Sequence, residues 1–191
     1  MLANEAGWTA VIGIPLDQDA AAPLEIDIVT PGAAARTLTI DLGEEDYRVQ
    51  RLNVDRKYVD LDEDALARVV AEREVIDAAL ENWRDHEQPD LELDVPVPGR
   101  RSSSFGSRRI FNDQPRSPHK GMDIAAVTGT PVLAPAAGVV TATGDFYFNG
   151  NTVILDHGQG FVSLYCHLSE IAVDQGETIG AGGELGKVGA T

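Results

Sequence analysis

The chain has 191 residues, 43% of them hydrophobic and 24% charged, enough for one sizeable core or two small ones. Its formal net charge of −16 would repel nucleic-acid phosphates, and no apolar run reaches the length of about eighteen residues that a membrane-spanning helix needs. A single cysteine, Cys166, excludes an intrachain disulfide, and residues 1–8 show neither the basic nor the apolar segment of a secretory signal.

The charge is uneven. Residues 1–98 carry 8 Lys+Arg against 23 Asp+Glu, a balance of −15, whereas residues 99–191 carry 7 against 8, a balance of −1. The break near Pro96 and Pro98 predicts a domain boundary, and the acidic excess reads as a well-solvated surface.

In chain order, residues 8–14 read as a strand. Residues 24–29 alternate Leu24, Ile26 and Ile28 with acids, and residues 36–42 place Leu38, Ile40 and Leu42 on one side. Residues 47–54 suggest a further strand with a bulge where the phase slips. Period-two patterns of this kind predict half-buried antiparallel strands and an N-terminal β-domain over 1–60. The period then changes. Leu66, Val69, Val70, Ile76, Leu80 and Trp83 recur at helical spacing, and Asp60 with Glu63 resembles a capping box. An amphipathic helix over 62–84 is predicted, packing on a β-domain, followed by an extended linker over 87–99, so that 61–99 bridges to a third segment, 100–191. There, 132–140, 152–155, 162–167 and 177–188 read as short strands between glycines, which suggests a sandwich or barrel-like sheet. The fold class is α+β, mostly β.

The sharpest chemical feature is the run from Pro118 to Ala125, with His119 and Asp123 four residues apart. A neutral imidazole and a carboxylate are both good zinc ligands, and Gly121 between them should let the backbone turn tightly. By itself the pair equally fits a surface histidine beside an unrelated acid.

The wider pattern decides between these. Ser104-Phe105-Gly106-Ser107-Arg108, His119-Lys120-Gly121-Met122-Asp123, Gly129-Thr130-Pro131-Val132, Ala134 to Val140, Gly150 to Gly158, Leu164 to Ser169 and Gly186 to Thr191 follow one another in a spacing that resembles the lysostaphin-type (LytM-type) zinc metallopeptidases. The resemblance covers about residues 97–191, and the front half is similar to the N-terminal β-domain of a Gram-negative branch. It implies the "duplicated hybrid motif" fold, Zn2+ as cofactor, peptidoglycan stem peptides as substrate, and a periplasmic or cell-envelope location. His119 and Asp123 match the first two zinc ligands, and His167 matches the histidine that faces the metal-bound water or the developing oxyanion. His157 matches a structural strand-end histidine. Family members take their third ligand and a general base from a late His-x-His motif about ten residues beyond the point where this sequence stops. The chain as given is therefore expected to be a C-terminally incomplete peptidase domain with weak zinc affinity and catalysis close to nil. The alternative is a degenerate, non-catalytic relative that binds peptidoglycan or activates a cell-wall amidase.

Cys166 and His167 are neighbours on a strand and so point apart, which removes a cysteine-protease dyad; Cys166 should share a core face with Leu164 and Leu168. Arg100, Arg101, Arg108, Arg109, Arg116 and Lys120 crowd the approach to His119, and Arg116, the nearest arginine, is the candidate for binding substrate carboxylates. The glycine-rich run 176–187 resembles biotinyl and lipoyl carrier hairpins, but Lys187 lies beyond the turn at Gly182-Gly183.

Overall fold

The structure is a computed structural model that describes residues 2–4, 7–54, 61–85 and 89–190. The chain runs β1 (Leu2–Asn4), β2 (Gly7–Thr9), β3 (Leu24–Ile28), β4 (Arg36–Ile40), β5 (Val49–Leu52), α1 (Glu63–Leu80), β6 (Arg100–Ser103), β7 (Arg108–Phe111) and β8 (Gln114–Pro115). It continues through β9 (Asp123–Ala125), β10 (Pro131–Leu133), β11 (Gly138–Phe146), β12 (Gly150–Gly158), β13 (Phe161–Ile171), β14 (Thr178–Ile179) and β15 (Glu184–Val188). One helix among fifteen strands makes the described residues mostly β, as the sequence indicates. They divide into two compact units that interleave along the sequence.

The first unit takes residues 1–10, 54–103 and 123–191. Its centre is a six-stranded sheet in the order β10-β15-β13-β12-β11-β14, antiparallel in each pairing. The middle strand β12 is apolar on consecutive positions because it is covered on both faces. Val153 and Leu155 enter one cluster with Val140, Leu168, Val173 and Leu185, while Ile154 enters the other with Ala142 and Ala79 of α1. All three β12 residues are 0% exposed. The predicted strand over 132–140 is two strands, interrupted at 134–137 by Pro135 and its alanines, and β12 and β13 extend well beyond their apolar cores.

The helix starts where the carboxylate of Asp62 accepts from the Ala65 amide at 2.8 Å. The cap is thus Asp62, not a box of Asp60 and Glu63; Asp60 lies outside the described residues. The predicted amphipathic face is also corrected. Leu66, Val70 and Leu80 are exposed, and only Ala79 is buried, with Ile76 beside it against Ala142 and Ile154. Polar anchors do the rest: Glu72 accepts from the Tyr147 amide at 2.7 Å, and Arg68 donates to the Asp145 carbonyl at 2.7 Å. Just past the helix, Asn82 and Arg84 each donate at 3.0 Å to the fully buried carboxylate of Asp156. These contacts depend on which residues meet in space, so helical periodicity gives no sign of them.

The second unit takes Val11–Asn53 and Ser104–Met122. Strands β3 and β4 form the expected antiparallel hairpin, pairing Leu24 with Ile40 and Ile26 with Leu38. Its apolar side is less covered than predicted, with Leu38 37% and Ile40 43% exposed. The predicted strand over 47–54 is only β5, and it runs parallel to β7 (Val49 beside Arg108, Leu52 beside Phe111) rather than antiparallel to a chain neighbour. Strand β8 closes this small sheet on the other side of β7.

Candidate functional site

His119 belongs to the second unit and is half-buried. Residues 104–107 hold it at three points. Its amide donates to the Ser107 carbonyl at 2.9 Å, its carbonyl accepts from the Gly106 amide at 2.8 Å, and its Nδ1 lies 3.3 Å from the Ser104 carbonyl. Ser107, 2% exposed, donates its Oγ to that same Ser104 oxygen at 2.9 Å and so fixes the acceptor. A carbonyl can only accept, so in a neutral ring Nδ1 carries the proton and Nε2 bears the lone pair. That is how metal-binding histidines are commonly oriented. Gly121 is not in the left-handed region, so the expected tight turn is not why it is glycine. A Cβ there would lie 3.7 Å from His119 Nε2, an ordinary van der Waals distance, so close packing does not require glycine either.

Asp123 belongs to the first unit, half-buried, and opens β9 against β6, where it pairs with Ser103. The division between the units falls between Met122 and Asp123, so the two ligand candidates are held by different frameworks although only four residues apart. Among the described residues no group of three or more His, Cys, Asp or Glu side chains is placed to hold a metal ion. The donor chemistry of the pair, a neutral Nε2 and a carboxylate, fits zinc.

His167 is exposed and has φ 58, the left-handed region that a histidine seldom takes. The cause is a bulge in β13. Between the pairs Asn151–Leu168 and Val153–Tyr165, β13 advances three residues and β12 two. Backbone bonds lock the conformation: the His167 amide donates to the Asn149 carbonyl at 2.8 Å, and its carbonyl accepts from the Gly189 amide at 3.0 Å.

The bulge also corrects the expected phase of Cys166. Leu164 packs against the helix-side cluster and Leu168 belongs to the other, so they do not share a face with Cys166 between them. Burial pushes the Cys166 thiol up from its ordinary value; Thr152 and Asn149 pull it down through hydrogen bonds, and the Asp123 carboxylate adds to the rise. The thiol stays protonated and inert at neutral pH.

His157 is structural. It is 1% exposed, with Nδ1 2.8 Å from the Ala137 carbonyl and Nε2 2.7 Å from Ser163 Oγ, which is in turn 2.7 Å from the Tyr165 hydroxyl. His86 lies outside the described residues. Arg116 sits in the second unit, its amide donating to the Arg109 carbonyl and its guanidinium to Gln114 at 3.0 Å. Lys187 lies within β15 and pairs with Glu170 on β13 at 2.7 Å, which is no carrier hairpin tip. Sequence reasoning missed Tyr47, whose ring lies against Gly106. The only signal was that glycine, quoted in a motif without a reason for it.

Residues 117–191 match the family model described as Peptidase family M23. A crystal structure described as a peptidase M23 from Pseudomonas aeruginosa is 35% identical and superposes with a TM-score of 0.72, covering 94% of this chain and 66% of that one. The peptidoglycan DD-endopeptidase ShyA of Vibrio cholerae is 38% identical over 91 residues, which is 47% of this chain and 21% of that protein. The DD-carboxypeptidase/endopeptidase Mpg of Neisseria meningitidis is 39% identical over 105 residues, 55% of this chain and 24% of that protein. The chain thus spans between a fifth and a quarter of the length of these curated relatives.

Proposed function

The chain belongs to peptidase family M23 through residues 117–191, and on that premise we propose that it acts as a zinc-dependent metalloendopeptidase on the peptide crosslinks of bacterial peptidoglycan, in the cell envelope. The observation that carries the metal reading is the Nδ1 contact of His119 with the Ser104 carbonyl, which directs Nε2 to act as a ligand. Asp123 supplies the second donor.

A zinc ion held by these two residues would supply Lewis-acid chemistry to the scissile amide. The protein's own groups orient the substrate. His167, fixed by its backbone at the bulge, presents a ring N–H to the carbonyl oxygen. Arg116 attracts a stem-peptide carboxylate. The substrate class is supported by the two curated relatives, both named as peptidoglycan or D,D-peptide hydrolases.

His119→Ala and Asp123→Ala should each abolish zinc retention, measured by metal analysis, and reduce muropeptide cleavage to background. Either variant retaining both properties would end the zinc reading.

A further inference from the structure

Gly106 is the residue whose amide holds the His119 carbonyl, and it has φ +82. A Cβ built on it would sit 2.0 Å from the ring of Tyr47. No side chain fits there, because the aromatic face lies directly on the Gly106 backbone. Tyr47 is half-buried and lies two residues before β5, and the next residue's carbonyl, that of Arg48, accepts from the Arg108 amide at 2.8 Å, which ties the two segments together beside this contact. Residues 104–107 form the turn that grips His119 at three points. One face of that turn therefore rests on an aromatic ring more than fifty residues earlier in the sequence.

We propose that Tyr47 is a positioning residue for His119: its ring backs the Gly106 turn, which holds the imidazole with Nδ1 towards the Ser104 carbonyl and so leaves Nε2 as the nitrogen that would ligate a metal. This rests on His119 being a metal ligand, as proposed above. The ring does the positioning through contact, and no hydrogen bond of the hydroxyl enters the argument. It follows that the acidic front segment contributes structurally to the site.

Two readouts test it in the full-length protein: the tautomer of His119 in the metal-free state, read from imidazole 15N shifts at alkaline pH, and zinc affinity by competition with a chelating dye. The native protein should show the Nδ1–H form. Tyr47→Ala should move His119 towards the Nε2–H form and weaken zinc binding about ten- to a hundredfold, the range for losing a partner that orients a ligand. Tyr47→Phe should leave both unchanged, which a general loss of the hydroxyl or of folding would not predict. Gly106→Ala should be harmful beside Tyr47 and add much less in the Tyr47→Ala background, where the ring is gone and only backbone strain remains. Tyr47→Leu repeats the test if the alanine variant does not fold. An unchanged tautomer and affinity in Tyr47→Ala, equal damage from Tyr47→Phe, or additive effects of the two substitutions would overturn the proposal. A native protein that binds no zinc would sink the metal reading, while the tautomer comparison would still judge the role of Tyr47.

Discussion

The two units are stabilised in different ways. In the six-stranded sheet, Val153, Ile154, Leu155 and Leu185 are 0% exposed and two apolar layers cover opposite faces. In the other unit the hairpin's apolar residues remain partly in water, and order comes from strand pairing, the turn at 104–107 and one ring over one glycine. Asp123 and His167 stand on the first kind of framework and His119 on the second. A candidate ligand held by a few local contacts is easier to disturb without unfolding the protein than one held by a core.

The comparison breaks most directly at paired leucines. Leu155→Ala should cost about 2–5 kcal/mol, since it opens a cavity where packing is complete. Leu38→Ala, at a site 37% exposed, should cost under about 1 kcal/mol. Equal losses in urea unfolding would show that the hairpin is buried in solution and that the contrast is false.

Alkali probes the sheet again. Burial pushes the Tyr165 phenol up from 10.0 to about 12. An acid that stays neutral in the fold while it ionises in the unfolded chain contributes stability that is whole below pH 10.0 and is lost as pH rises through about 12. Tyr165→Phe should flatten that decline in unfolding curves taken across the window; an unchanged decline would place its origin elsewhere.

The smallest effect sharpens the picture at the bulge. His167→Gly relieves a left-handed backbone and should raise stability by up to about 1 kcal/mol while muropeptide cleavage falls. A glycine variant no more stable than the native protein would show that no strain is held there.

Much of the fold was legible. Alternation located β3 and β4 to within two residues, and the strand cores of β12 and β13 stood out because a doubly covered strand must be apolar on successive positions. The helix was legible in existence and unreliable in its buried face, because α1 is fastened by Glu72, Arg68 and the residues after it rather than by a long apolar stripe. The partner of β5 was not legible at all. Parallel pairing with β7 joins residues almost sixty apart, and nothing local encodes that distance.

Residue identity sets the chemistry on offer: an imidazole at 119, a carboxylate at 123, a histidine at 167, and the glycines around them. Tertiary structure alone decided how they are held. A hydrogen bond from Nδ1 to a carbonyl fifteen residues away, a bulge that turns His167 left-handed, and an aromatic ring on Gly106 all arise from contacts between segments remote in the chain. Residue type fixes what a side chain can donate or accept; only the folded backbone fixes which partner is within reach.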